Sequence, residues 1–348
     1  MFQLYHLYCF IVKNLNVSEI IMHFKNILIT LLIVSSIMNI QAQNNLSDCK
    51  IVVGNQRTSE WAIYDFNKDW RKPEAKLWSF NPKLDPIMQQ PCLNDPENRK
   101  CDDLWLAPSD VKVVLDKTHL LCVDSLGGVL LVRIKDKKII WHVYPRSNPH
   151  SAELLPDGNV VTASSEGNYL KLYNIRKFDP AKPGATPFFQ TLAPDAHGVV
   201  WDKKRQCLWS SGFYGVTKWR YISDAENPCL EYVETYGITR KDTVFRDAYI
   251  KIVGHDLFPT HDGKLFLTYN EGISIFDPET CQITHYSDLK AIKSLDSWNG
   301  KIMMLKPQER WWAENPHFPG DEASEKRCFV PTAKIYKARY FQNNKFSY

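Results

Sequence analysis

Three histidines in this chain open segments that are built alike. His150 begins "HSAELLPDGNVV", His197 begins "HGVVWDKKRQCLW" and His255 begins "HDLFPTHDGKLFL". Nine residues after each, at Asn159, Gln206 and Lys264, a second apolar run starts. The first and third segments also carry Asp157-Gly158 and Asp262-Gly263 at one offset, the residue pair that tight hairpins favour. Short apolar runs separated by turn residues read as strands, and helical periodicity is nearly absent. Weaker copies lie on either side. "SDVKVVLDKTHLLCVDSLGGVLLVRIKDKKIIWHVYP" gives four strands, with Asp110 at the histidine's place. "IKSLDSWNGKIMMLK" gives two more, with Ile292 or Lys293 there. "KIVVGNQRTSEWAIYDF" and "KLWSFN" match the second, third and fourth strands of the unit. A unit recurring every ~40–55 residues that cannot cover its own faces must stack on its neighbours. The expected fold is all-β, a six-bladed β-propeller of four-stranded antiparallel blades, with five and seven blades as the alternatives. The first blade lacks an inner strand of its own, so the C-terminal segment is expected to close the ring.

The N-terminus reads differently. Ile27–Met38 ("ILITLLIVSSIM") is an apolar run of signal-peptide length, preceded by His23 and Lys25 and followed by "NIQAQ". Residues 1–42 are therefore expected to be a signal peptide, with Met22 as the natural start and cleavage after Ala42. Residues 43–348 are then a single propeller domain, exported to the periplasm or secreted. The apolar run is too short to span a membrane comfortably. Export also colours the cysteines, eight of which lie beyond residue 42. In an oxidising compartment some should pair, and Cys92–Cys101 and Cys207–Cys229 are the expected bridges. A net charge of +4 is too small to imply nucleic acid.

In a four-stranded meander the first strand lines the channel. Its start and the loop between strands two and three open on one face. His150, His197 and His255 are thus expected at equivalent places on consecutive blades, facing one funnel. Gln56, Tyr214 and Tyr269 fall in loops on that face, as does the long segment from Lys306 to Thr332 with Arg310, Trp311 and Trp312. Arg146 precedes His150, and Arg246 and Tyr249 precede His255. Aromatics make up 13% of the chain, which suits a sugar-binding surface as well as strands. Three chemistries fit. A neutral histidine or a tyrosinate can remove the C5 proton of a uronic acid while an arginine neutralises its carboxylate. Three imidazoles can hold Zn²⁺ or Mn²⁺, with Gln56 or water completing the shell. A histidine can also act as a nucleophile in group transfer.

"HSAELLPDGNVVTASS" and "GHDLFPTHDGKLFLTYNEGISIFD" resemble blades of exported bacterial propellers. They are similar to propeller polysaccharide lyases, to oligosaccharide dehydratases acting on ulvan and, more loosely, to arylsulfotransferases. The resemblance spans roughly residues 49–341 and rests on blade motifs. It implies elimination across C4–C5 of a uronic acid in an anionic oligosaccharide, a carbon–oxygen lyase or dehydratase activity. His150, His197 and His255 with Tyr214, Tyr249 and Tyr269 are the expected catalytic residues. Gln56, Arg146, Arg246, Arg310, Trp311 and Trp312 are the expected substrate contacts. The alternatives are a non-catalytic propeller that binds glycan or protein, and a metal-dependent hydrolase or sulfotransferase.

Overall fold

The computed structural model describes residues 48–89, 104–238 and 252–348, with residue 27 alone before them. The chain divides into two compact units, Met1–Asp48 and Cys49–Tyr348. In the first, Ile27 is helical and exposed, and the expected signal segment otherwise lies outside the described residues. Among the described residues no helix is long and apolar enough to cross a membrane.

The second unit is an all-β propeller. Its chain runs first through β1 (Lys50–Asn55), β2 (Glu60–Asp65) and β3 (Lys76–Phe80). The next four strands are β4 (Pro108–Val114), β5 (His119–Asp124), β6 (Gly128–Arg133) and β7 (Ile139–Val143). Then come β8 (Pro149–Leu154), β9 (Val160–Ser164), β10 (Tyr169–Tyr173) and β11 (Phe188–Leu192). They are followed by β12 (Gly198–Asp202), β13 (Cys207–Gly212), β14 (Gly215–Ile222) and β15 (Cys229–Tyr236). A further four are β16 (Gly254–Pro259), β17 (Leu265–Tyr269), β18 (Gly272–Asp277) and β19 (Gln282–Ser287). The last are β20 (Ser294–Trp298), β21 (Lys301–Leu305) and β22 (Ile335–Tyr340). Each consecutive group of four from β4 to β19 forms one antiparallel sheet, and β22 pairs with β1 to complete the sheet β22-β1-β2-β3.

Among the described residues there are therefore five four-stranded blades, not the six expected. After β19 only a two-stranded sheet, β20-β21, stands in the ring. Between Leu305 and Ile335 the chain forms no further strand, and β22 belongs to the first blade. That stretch carries Pro307, Pro316, Pro319 and Pro331, which donate no ladder hydrogen bond, and a short helix, α1 (Glu322–Arg327), capped by Asp321. Isolated bridges Met304–His317 and Ala313–Ile335 tie this segment to β21 and β22.

Alternation along the strands builds the cores between blades. Leu120 and Cys122 of β5 pack with Val52 and Trp61, whereas Leu121 and Val123 pack with Leu154 and Val160. Val199 and Trp201 of β12 face Val161 and Leu170, while Val200 faces Leu257 and Leu265. A period of two thus sends successive side chains to opposite neighbours, and every central blade is apolar on both faces.

The Asp-Gly pairs form matching hairpins. Gly158 and Gly263 have φ of 89° and 83°, and their N–H groups donate to Leu155 and Thr260, three residues back. This is a type I turn ending in a left-handed residue, which glycine adopts without steric cost.

Candidate functional site

The first strands β22, β4, β8, β12 and β16, with β20, are the innermost. Three of them begin with a bulge. Register shifts between Pro108 and Asp110, Pro149 and Ser151, and Gly254 and Asp256 leave Ser109, His150 and His255 as the extra residues. A bulge re-aims a side chain and interrupts pairing, a device common beside functional sites. The residue of β4 equivalent to the histidines is thus Ser109, one before the expected Asp110. A run of three left-handed residues, Arg146, Ser147 and Asn148, leads into His150, with φ between 56° and 69°. Such strain needs support from its surroundings to persist.

The three imidazoles meet at the channel mouth. The His150 and His197 rings stack, with centroids 4.5 Å apart and planes 13° from parallel. His255 stands edge-on to His197 at 6.0 Å, and Tyr336 of β22 stacks on the other side of His150 at 5.6 Å. Lys293, which immediately precedes β20, places Nζ 2.9 Å from His255 Nε2. Asn270 Oδ1 lies 2.7 Å from the same nitrogen. His197 Nδ1 faces two acceptors, the Asp195 carbonyl at 2.9 Å and its carboxylate at 3.3 Å. Only a protonated Nδ1 satisfies both, so in the neutral ring the free lone pair is on Nε2.

Burial sets the charges here. It pushes His150 well below the ordinary imidazole range, helped by His197 and Lys337. His255 is brought down to about 3 by burial and by Lys293. Both rings are neutral at pH 7. Lys293 is lowered to about 8 by burial and by Lys337, and so remains an ammonium at neutral pH. Its residue exposure is 8%, and among the described residues no carboxylate lies within ion-pair distance of it. The His150 Nδ1 is likewise buried without a hydrogen-bond partner.

Below this layer the charges are paired. Arg339 forks onto Asp256 at 2.7 Å on both arms and reaches Asp110 at 3.0 Å. Lys337 bonds Asp256 at 3.1 Å and the His150 carbonyl at 3.0 Å. Asp110 is thus a structural acid of the channel wall. Burial alone would raise Asp256, but Arg339 and Lys337 outweigh it and hold the carboxylate ionised. At the opposite end, Lys112 and Glu153 pair at 2.5 Å and the Tyr348 hydroxyl donates to Glu153 at 2.6 Å. Ser347 bonds the Trp201 carbonyl, so the final residues stopper that end of the channel.

Other expected residues are distributed more widely. Gln56 sits on the mouth face, donating to the Pro108 carbonyl and accepting from Trp311 Nε1 at 3.1 Å. Trp311 is exposed and meets Trp312 edge-on, with Arg310 5.9 Å from the Trp311 ring centre. Tyr214 is exposed at the β13–β14 turn. Tyr269 is buried between blades with Leu265, Leu267 and Trp209, its hydroxyl bonded to Ser274, and takes no place among the imidazoles. Arg146 lies against Tyr144 and under Gly127. Arg246 and Tyr249 fall outside the described residues, as do Cys92 and Cys101. Cys207 and Cys229 sit on β13 and β15 with β14 between them. Two strand spacings, ~9.6 Å, exceed the reach of a disulfide. All six described cysteines are free thiols.

The donor set does not favour a metal. Two of the rings lie face to face, so their nitrogens do not converge, and the third has a lysine nitrogen beside its Nε2. Among the described residues no group of three His, Cys, Asp or Glu side chains is placed to hold an ion. Lys293, Tyr336 and Asp195 also stand at this candidate site, beyond the residues that the sequence singles out. The repeat count reaches Lys293 only as an alternative to Ile292, and the burial of Ile292 in an apolar cluster decides between them. Tyr336 follows once the C-terminal segment is set as the innermost strand of the first blade.

Comparison with known proteins gives the fold and a family. A nidogen/laminin complex chain matches with a TM-score of 0.51 at 10% identity, over 84% of this chain and 98% of that one. A catalytically inactive virginiamycin B lyase from Staphylococcus aureus, solved with quinupristin, matches at 9% identity and a TM-score of 0.45, over 84% of each chain. Hydrazine synthase of Kuenenia stuttgartiensis matches at 12% identity and 0.41, over 58% of this chain. The match spans only 57% of the hydrazine synthase chain. No curated protein matches by sequence. Residues 47–348, which include the whole propeller, match one family, and the chain belongs to that family, a family of unknown function designated DUF6528.

Proposed function

We propose that the channel mouth is the active site of a carbon–oxygen lyase acting on a uronic acid residue of an anionic oligosaccharide. The observation that carries this reading is Lys293, a nearly buried ammonium with no carboxylate beside it among the described residues, set against the neutral imidazole of His255. Burying an unpaired cation is costly. The cost is offset when an anionic group docks against it.

In this reading the substrate carboxylate pairs with Lys293, which makes the neighbouring C5 proton removable by stabilising the charge that develops on the carboxylate oxygens. His197 takes the proton on Nε2, with Asp195 holding the ring and its tautomer. The C4–O bond then breaks, a C4–C5 double bond forms, and the leaving oxygen takes up the proton that His197 now carries, which returns the ring to its neutral form. Gln56, Trp311 and Trp312 flank the entrance and receive the rest of the chain.

The test is direct. Incubation with uronate oligosaccharides is expected to give an ultraviolet-absorbing product, because the new double bond is conjugated with the carboxylate. Saturable binding across a broad panel with no absorbing product sinks the lyase and leaves a binding propeller. A second expectation concerns pH. Lys293 is cationic below about 8, so uronate affinity is flat below that value and falls about tenfold per unit above it. His150 and His255 are already neutral and add no loss between pH 5 and 8. Calorimetric titration between pH 6 and 10 measures the curve, and an affinity that rises above pH 8 contradicts the assignment.

A further inference from the structure

We propose that the hollow between the β1–β2 turn and the segment after β21 is a subsite for an uncharged pyranose ring, next to the acidic ring at Lys293. The substrate unit is then at least a disaccharide, one uronic acid joined to one neutral sugar. Only the placing of the acidic ring rests on the lyase reading.

The hollow encloses about 550 Å³, and Arg57, Glu309, Trp312, Glu314, Thr332 and Lys334 are among its lining residues. It is on the mouth face. Lys334 stands two residues before Tyr336, roughly 7 Å along an extended segment. Gln56, next to Arg57, is hydrogen-bonded to Pro108 and Trp311 and joins the hollow to the histidine funnel.

Its chemistry is that of hydroxyl recognition. Two cations and two carboxylates line it, so its net charge is zero and it offers no surplus for a second anion. Among the described residues Arg57 and Lys334 make no ion pair with Glu309 or Glu314, which leaves donors and acceptors apart around one wall. Trp312 and Lys334 share that wall, with Lys334 Nζ over the indole, 4.5 Å from the ring centre. Glu314 is held by the Thr332 N–H at 2.6 Å, and Gln308 is fixed by Asn315. An indole and a lysine side by side on one wall, with carboxylate acceptors near them, match the apolar patch and hydroxyls of a sugar ring.

The experiment titrates the full chain by calorimetry with three probes: glucuronic acid, glucuronic acid joined to a neutral hexose, and a disaccharide of two uronic acids. The mixed disaccharide is expected to bind about tenfold tighter than glucuronic acid, the scale of one well-made polar contact. Glu314→Gln and Lys334→Gln should each reduce that gain and leave the affinity for glucuronic acid unchanged. A diuronic disaccharide that gains as much, or a gain untouched by both substitutions, overturns the subsite. If the binding pattern holds but no unsaturated product forms, the lyase reading falls and the subsite stands. If none of the three probes binds, both fall.

Discussion

Replacing Lys293 by methionine is expected to lower kcat/KM on a uronate substrate by about 10²–10³-fold, the usual effect of removing one preorganised charge from a transition state. The same substitution should leave the protein at least as stable, since it removes a buried ammonium that has no acidic partner among the described residues. This opposition distinguishes a functional lysine from a structural one. Lys293→Arg should recover little, because the guanidinium is broader and Nζ already sits 2.9 Å from His255 Nε2. Turnover followed by absorbance and a urea midpoint measured on the same preparations check both halves. A variant that keeps most of its activity, or loses activity and stability together, removes Lys293 from the chemistry.

Arg339→Met is expected to do the reverse and cost about 3–5 kcal/mol of stability, the range for breaking a buried ion pair by deleting one partner. Asp256 would lose both of its bonds to the guanidinium, and Asp110 its bond at 3.0 Å. Lys337 alone would then face two buried carboxylates. Adding Asp256→Asn should return part of the loss, because the amide carries no charge to strand. Urea unfolding of the single and double variants gives the coupling. A loss below about 1 kcal/mol, typical of surface pairs, shows that the network does not bear on stability.

The repeat made the ring legible because period-two alternation and the Asp-Gly turns are local and unambiguous. Each second strand, starting at Val160, Cys207 and Leu265, begins ten residues after its histidine. Counting failed where local cues are weak. "IKSLDSWNGKIMMLK" reads as two strands and is two strands, but the next strand, β22, belongs to the first blade, and the expected sixth blade has no outer half. Tyr269 shows a different failure. It was placed by loop proximity, whereas its parity with Leu265 and Leu267 puts it on the apolar face of β17. The count reaches position 293 but does not choose between isoleucine and lysine, and only packing separates the two. The ion network was out of reach, since its partners lie on β4, β16 and β22, far apart in sequence.

The closing strand has a bearing on how this protein is made. β22 emerges from the ribosome nearly three hundred residues after its partner β1, and it carries both cations that neutralise Asp110 and Asp256. Until it docks, the nascent chain holds an open sheet edge and two uncompensated acids at its centre. Such a chain gains this buried ion network in one late event, and before that event the bare edge of β1 is the surface a chaperone has reason to cover.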